Sequence, residues 1–133
     1  MTVGIVGLGL IGGSFAKAYH AAGHTVLAFD IDRSTYDFAV LSGTVNGPLT
    51  DETLSTCDLI LIAVIPSAAV DYLKRHAAHI GPKPVVIDCC GTKRVVCAAC
   101  FPLAKEHGFT YLGGHPMAGT HNSGFKYATP TMF

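Results

Sequence analysis

A glycine-rich stretch near the end of the sequence, GGHPMAGTHNSG over residues 113–124, carries two histidines and no apolar run long enough for a helix or strand. Loops held by a rigid scaffold often carry functional groups, because their backbone is exposed and their side chains can be aimed. A neutral imidazole in such a loop can accept a proton. We therefore take His115, which directly follows Gly113 and Gly114, as a candidate catalytic base.

A second group of residues with meaningful spacing lies at the start of the chain. Gly7, Gly9 and Gly12 in GLGLIGG match the pattern G-x-G-x-x-G, between a strand-like run and a helix-like run. In that context the first glycine permits a tight turn, the second lets a pyrophosphate approach the backbone, and the third allows close packing of helix on strand. The N–H groups at the start of the helix, including those of Leu10 and Ile11, would then face the phosphates.

Asp30 stands at the end of the second strand-like run, eighteen positions after Gly12. A carboxylate there can accept hydrogen bonds from both ribose hydroxyls of an adenosine and would repel a 2′-phosphate, which favours NAD over NADP. Arg33 leaves NADP open, since an arginine near this place can hold a 2′-phosphate. The alternative interpretation is that the glycines only shape a turn and that Asp30 caps a helix.

These residues must be positioned by the elements around them, and strand-like runs alternate with helix-length segments along the chain. Such alternation predicts parallel strands joined by right-handed crossovers. We therefore predict an α/β fold of the Rossmann type, a doubly wound and mainly parallel sheet forming a single domain over residues 1–133. The predicted strands span residues 2–7, 25–30, 58–64, 84–88 and 110–114, with a weak one within 43–47, and the predicted helices span 10–23, 33–43, 66–81 and 92–108, the last with a kink or break at Pro102.

Composition argues against several classes of function. Nine basic and nine acidic residues cancel, so no net positive charge attracts nucleic acid or anionic lipid. The longest apolar run, residues 59–65, is far shorter than the roughly 20 residues of a membrane span, and the N-terminus lacks the basic leader of a signal peptide. The mean hydropathy of +0.42 predicts a buried parallel sheet, or a surface covered by another subunit or domain. We expect a cytoplasmic protein.

The five cysteines are odd in number and, in a cytosolic setting, predict thiols rather than disulfides. Cys97 and Cys100 have the spacing of a zinc or redox pair, but both fall in a predicted helix, where they share one face. Cys89 and Cys90 are adjacent and would point to opposite sides of an extended chain. Structural thiols without a metal are the favoured interpretation, and a metal or redox role is the alternative.

Thr92 follows one predicted strand and His115 the next, so both should meet in one crevice at the carboxyl edge of the sheet. A hydroxyl beside an imidazole suits proton transfer. The remaining histidines lie on predicted helices or at their ends and are expected to face solvent or cap a helix, with His121 left undecided: His20, His24, His76, His79 and His107.

Three motifs together, GLGLIGGSFA, GTK after a strand-end aspartate, and GGHPMAGTHNSG, resemble the prephenate/arogenate dehydrogenase family. The last motif is the specific one, because the first is shared by many NAD enzymes. The resemblance covers all 133 residues as the N-terminal NAD-binding domain of the family. It implies that His115 contacts the ring hydroxyl of prephenate, that Thr92 supports His115 on the nicotinamide side, and that Thr120 lies near the substrate. A looser match implies that Ser67 packs against the nicotinamide ribose.

The resemblance also implies a reaction that needs no metal. NAD would accept hydride from C4 of prephenate while His115 takes the hydroxyl proton, and the ring carboxylate would leave as CO2, giving 4-hydroxyphenylpyruvate on the route to tyrosine. Arogenate is an alternative substrate. Further alternatives are another β-hydroxyacid-type dehydrogenase and a nucleotide-binding module without turnover of its own. Because family members continue into a helical domain that dimerises and binds substrate, we expect this chain to be a fragment or truncation of a homodimeric enzyme.

Overall fold

The computed structural model describes all 133 residues. It contains six strands and four α-helices, which we number in chain order. The strands are β1 (Thr2–Val6), β2 (Thr25–Phe29), β3 (Gly47–Pro48), β4 (Leu59–Ile62), β5 (Val85–Asp88) and β6 (Thr110–Leu112), and the helices are α1 (Leu10–Ala21), α2 (Arg33–Leu41), α3 (Pro66–His76) and α4 (Arg94–His107). Short 3-10 turns occupy Leu54–Thr56, Ala77–His79 and Phe125–Tyr127.

The strands form one sheet in the order β3-β2-β1-β4-β5-β6. Every neighbouring pair is parallel. The chain moves outward from β1 to β3, returns to the centre at β4, and then moves outward in the other direction. This is the strand order of a Rossmann fold, so the predicted fold class is confirmed, with a sheet that is wholly parallel.

Successive side chains of a strand point to opposite faces of the sheet, and in these strands both sets are apolar. Both faces are therefore covered by helices. On one face α3 and α4 pack against Val6, Ile60, Ile62 and Val86, and on the other α1 and α2 pack against the opposite set of strand residues, Val3, Ile5, Val26, Ala28 and Leu61. Each fully buried Ile or Leu side chain contributes about 2 kcal/mol. These two cores fix the strand ends that carry the site.

Three details of the predicted elements are wrong. The third strand is the two-residue β3, starting only where the predicted segment ends. Helix α4 begins at Arg94, which leaves Thr92 in the preceding loop. The same helix also continues through Pro102 without a break, because Val96, Cys100 and Ala104 on its buried face hold both halves against the core while the proline is exposed.

The residues after β6 run back across the sheet edge to α1. Phe125 is buried against Gly13, and a β-carbon at Gly13 would lie 2.7 Å from the Phe125 ring. The Lys17 ammonium donates to the Ala128 carbonyl over 2.8 Å, and the Thr129 amide donates to the Ser14 hydroxyl over 3.0 Å. This segment therefore has a defined course despite its loop-like composition. No helix of the fold has both the length and the apolar content needed to cross a membrane.

Candidate active site

The turn between β1 and α1 has the backbone geometry that its glycine spacing predicts. Gly7 has a φ of +91°, and a β-carbon there would lie 2.5 Å from the Ala63 carbonyl oxygen. A β-carbon at Gly12 would overlap the Gly7 carbonyl oxygen, so only glycine lets the helix approach the turn. A β-carbon at Gly9 would meet nothing within 4 Å, because this backbone faces an open cleft.

The start of α1 is free to bind an anion. Its N-terminal flanking residue, Gly9, provides no side chain to cap the helix, and the first turn contains no acidic residue. The first N–H groups of a helix have no partner within the helix and carry its positive dipole end. The amides around Leu10, Ile11 and Gly12 therefore form the part of the site best suited to a pyrophosphate.

A cleft of about 470 Å³ extends from this turn along the ends of β1, β2 and β4 to helix α3. Its walls are mostly apolar, and its polar groups are concentrated at Asp30 and at the far end on α3. That volume lies within the range of cofactor sites, roughly 300–1,000 Å³.

Asp30 is positioned by two backbone amides. Leu8 donates to one carboxylate oxygen over 2.7 Å, and Asp32 donates to the other over 2.8 Å. Each oxygen still has a lone pair for a further donor, such as a hydroxyl in the cleft. Asp30 does not cap helix α2; Asp32 does, by accepting from the Ser34 amide over 3.0 Å.

Two other predicted cofactor residues do not line this cleft. The Arg33 side chain pairs with Asp37 at 3.1 Å, is 81% exposed, and lies over the Tyr36 ring. Ser67 is exposed on the first turn of α3, beside Ile65, which is a cleft residue. In this conformation Arg33 makes no contact that would favour a 2′-phosphate.

A fully buried carboxylate lies at the end of β5. Asp88 accepts from Tyr111 over 2.6 Å, from the Cys90 amide over 3.0 Å and from the Gly114 amide over 3.3 Å, and it pairs with the Lys93 ammonium. Lys93 also donates to the Gly114 carbonyl. Both sides of Gly114 are thus attached to the same ion pair, which fixes the backbone immediately before His115.

The protonation of this cluster follows from its contacts. Burial alone would raise the pKa of Asp88, but the hydrogen bonds from Lys93, Tyr111 and the two amides outweigh it and place the pKa below its ordinary value. Burial is the largest of the effects that raise the pKa of Tyr111, and the hydrogen bond to Asp88 is the second. Asp88 is therefore a carboxylate at neutral pH, and Tyr111 remains a neutral donor.

The two glycines before His115 are required by close packing. A β-carbon at Gly114 would lie 2.6 Å from the Asp88 carbonyl oxygen, and one at Gly113 would lie 3.0 Å from the Cys97 sulfur. Neither residue has a positive φ, so the lack of a side chain at these positions serves close contact with β5 and α4.

His115 is exposed at the carboxyl edge of the sheet, next to the loop that follows β5. A β-carbon at Gly91 would lie 3.7 Å from the His115 Nε2 atom. Thr92, the residue after Gly91, is also exposed and makes no hydrogen bond to the imidazole. Thr120 lies further along the loop, where its hydroxyl accepts from the Asn122 amide over 3.2 Å. The structure thus places His115 and Thr92 on neighbouring loops.

Sequence reasoning missed two groups of residues. The Lys93, Tyr111 and Gly114 partners of Asp88 come from separate segments, although GTK after a strand-end aspartate was a usable signal. His76 was expected to face solvent or cap a helix, but it lines the cleft and contacts Asp51 over 2.6 Å. No local pattern indicates that contact, because 25 residues separate the partners.

The cysteines are distributed between the two cores. Cys90 packs on the face covered by α3 and α4, and Cys89 packs on the face covered by α1, which agrees with their predicted opposite directions. All five residues are free thiols in the structure. Cys97 and Cys100 lie on α4, as predicted.

Comparison with known proteins gives concordant matches. The sequence model of the prephenate dehydrogenase nucleotide-binding domain matches residues 15–133, a range that begins after the glycine turn. The prephenate dehydrogenase of Lactococcus lactis subsp. cremoris (strain MG1363) is 29% identical over 132 residues, covering 97% of this chain and 37% of that protein.

Two solved structures share the fold over the whole chain. Synechocystis arogenate dehydrogenase superposes with a TM-score of 0.90 at 28% identity, covering 100% of this chain and 47% of that one. The prephenate dehydrogenase of Aquifex aeolicus, in complex with hydroxyphenyl propionate and NAD+, gives a TM-score of 0.83 at 26% identity, covering 100% and 47%. The chain thus spans less than half the length of these relatives. With the glycine turn, the parallel sheet and the histidine loop all in place, this chain belongs to the prephenate dehydrogenase family and corresponds to its nucleotide-binding domain.

Proposed function

We propose that this chain is the NAD-binding part of an enzyme that converts prephenate to 4-hydroxyphenylpyruvate by oxidative decarboxylation. The observation that carries the proposal is the attachment of Gly114 to the buried Asp88–Lys93 pair, because it holds His115 at the sheet edge that also carries the glycine turn. The family match and the relative solved with NAD+ support the cofactor.

The residues present fit NAD. The uncapped start of α1 would receive the pyrophosphate at the amides of Leu10, Ile11 and Gly12, and Gly9 leaves room for it. Asp30 would accept hydrogen bonds from the adenosine ribose. The adenosine half would then occupy the cleft, and the nicotinamide half would lie on the other side of the β1–β4 switch point, toward β5 and β6.

We propose NAD rather than NADP on electrostatic grounds. A 2′-phosphate would approach the Asp30 carboxylate, and like charges repel. Arg33 could offset this only by leaving Asp37, with which it forms an exposed ion pair. Such a pair contributes about 0–1 kcal/mol, so breaking it costs little. The repulsion between Asp30 and the 2′-phosphate would persist.

His115 would act as the proton acceptor for the C4 hydroxyl of the substrate. Its imidazole is exposed and next to Gly91, so a ring hydroxyl can reach it. Thr92 would orient the imidazole or the substrate hydroxyl, Thr120 would contact the substrate, and Ser67 would pack near the nicotinamide ribose. Such a positioned base commonly contributes about 10²–10⁴-fold to the rate.

The proposed reaction balances without a metal. Bound NAD supplies the acceptor for the hydride that leaves C4. The C4 hydroxyl gives its proton to His115, the ring carboxylate departs as CO2, and its bonding electrons complete the aromatic ring. The proton held by His115 returns to the oxygen, which becomes the phenol of 4-hydroxyphenylpyruvate. The protein supplies orientation and one base.

Arogenate is the second candidate substrate, and the Synechocystis relative, an arogenate dehydrogenase, is the observation in its favour. The two substrates differ only in the side chain beyond the ring, so His115 would serve both. We further propose that the enzyme belongs to tyrosine biosynthesis, acts in the cytoplasm, and forms a homodimer through a helical domain outside these 133 residues.

The proposal is tested by NADH absorbance at 340 nm with NAD and either prephenate or arogenate. The chain should be assayed alone and mixed with a separately expressed C-terminal domain of a relative. Turnover of prephenate in the mixture supports the proposal. Turnover of arogenate alone would replace the substrate, and NAD binding without turnover in any mixture would indicate a nucleotide-binding module.

A further inference from the structure

The far end of the cofactor cleft contains a histidine whose ring is held in one orientation. His76, at the end of α3, contacts an Asp51 carboxylate oxygen through Nδ1 over 2.6 Å. Its ring also lies against Tyr72, with centroids 4.3 Å apart, and Tyr72 in turn contacts Phe29 at 5.7 Å. The imidazole is therefore fixed by a hydrogen bond on one edge and by an aromatic wall on one face.

Asp51 determines which nitrogen of this imidazole carries hydrogen. The hydrogen bond from His76 lowers the pKa of Asp51, so the carboxyl is ionised at neutral pH and can only accept. Nδ1 must then be the donor. In a neutral imidazole the other nitrogen, Nε2, is consequently an acceptor.

The cleft beside His76 has the composition of a purine site. Tyr72, which contacts the His76 ring, and the 94% exposed Ile31 both line the cleft, so apolar surface is available for a flat ring. The charged groups nearby, Asp71 and Arg75, pair with each other at 3.0 Å. His76 also lines the cleft, and its neutral form offers Nε2 as a hydrogen-bond acceptor while Nδ1 donates to Asp51.

We propose that His76, oriented by Asp51, recognises the 6-amino group of adenine and makes the cofactor site selective for adenine over hypoxanthine. The amino group of adenine is a donor and matches an Nε2 acceptor. Hypoxanthine has a carbonyl at the same position, which would place two acceptors against each other. This inference rests on the proposed function, since it assumes that the cleft holds the adenosine half of NAD.

Calorimetric titration of the 133-residue chain with NAD and with nicotinamide hypoxanthine dinucleotide tests the inference. One lost hydrogen bond corresponds to a preference for NAD of about tenfold. His76→Leu should reduce that ratio below about twofold, chiefly by weakening NAD. Asp51→Asn, whose amide can donate to Nδ1 and so place the hydrogen on Nε2, should shift the preference toward hypoxanthine.

His79→Leu is the matched control. His79 approaches the other oxygen of Asp51 at 3.7 Å but does not line the cleft, so its loss should leave the ratio unchanged. If the wild-type chain bound NAD and nicotinamide hypoxanthine dinucleotide equally well, the inference would be overturned, while NAD binding and the proposed function would stand. An unchanged ratio in a folded His76→Leu variant would also overturn it. No saturable binding of either dinucleotide would overturn the proposed function together with the inference.

Discussion

Replacing Asp88 with Asn tests how the His115 loop is held. The substitution keeps the shape of the side chain but removes the charge that neutralises Lys93. Each Asp88 oxygen accepts from two donors, so the amide places an N–H₂ group, itself a donor, against two of them. Breaking a buried ion pair costs about 3–5 kcal/mol. Lys93 is 34% exposed and stays partly hydrated, so we expect the low end, about 3 kcal/mol.

For 133 residues this loss corresponds to a decrease in Tm of about 10 °C, given an unfolding entropy of roughly 0.28 kcal/mol/K. Differential scanning calorimetry measures it. Asp58→Asn is the control, because Asp58 also flanks a strand but is 39% exposed, accepts one backbone amide and lies near the solvated Lys83. Its replacement should lower Tm much less than Asp88→Asn does, because this carboxylate stays in contact with solvent.

The pH dependence gives an independent check of the same pair. The folded-state pKa of Asp88 lies below its unfolded value, so its contribution is present above about pH 3.9 and is lost as the pH falls from there through the folded-state pKa. The stability difference between wild type and Asp88→Asn should therefore be constant between about pH 5 and 7 and shrink in acid. If Asp88→Asn proved no less stable than Asp58→Asn, the account of the loop would be refuted.

Three further predictions concern the cofactor, the base and the thiols. Asp30→Asn should weaken NAD binding by about 1–3 kcal/mol in calorimetry, because charge-assisted hydrogen bonds are lost; a wild-type preference for NADP would show that Arg33 dominates. His115→Asn, in a form that turns over prephenate, should reduce turnover by about 10²–10⁴-fold while sparing NAD affinity; joint loss of Tm and NAD binding would indicate a merely structural histidine. All five cysteines should titrate as thiols after denaturation, without bound metal, and react slowly in the folded chain where burial raises the pKa of Cys89 to about 12 and that of Cys90 to about 11; one equivalent of tightly bound zinc or iron in elemental analysis would contradict this.

The parts of the fold that the sequence predicted are those governed by local pattern. Glycine spacing at Gly7 and Gly12 is enforced by contacts within the β1–α1 turn, so it reports that turn directly. Short apolar runs indicate buried strands, and their alternation with helices determines the parallel order. The predicted kink or break at Pro102 is wrong because tertiary packing along the buried face of α4 outweighs the local helix-breaking tendency of proline.

The sequence predicted the position of a candidate site residue only where that residue closely follows a strand. His115 and Asp30 follow strands directly, so topology alone brings them to the carboxyl edge. The contacts of Asp88 with Tyr111 and of Asp51 with His76 join segments 23 and 25 residues apart, and no periodicity encodes such pairs. Arg33 was considered for a 2′-phosphate, but its pairing with Asp37 depends on the side-chain conformation, which sequence does not specify.

The most direct test of the central claim is a calorimetric titration of this chain with NAD and with NADP under identical conditions. We predict saturable binding of NAD at one site per chain, with NADP at least tenfold weaker because Asp30 repels the 2′-phosphate. Absence of saturable NAD binding, or tighter binding of NADP, would contradict it.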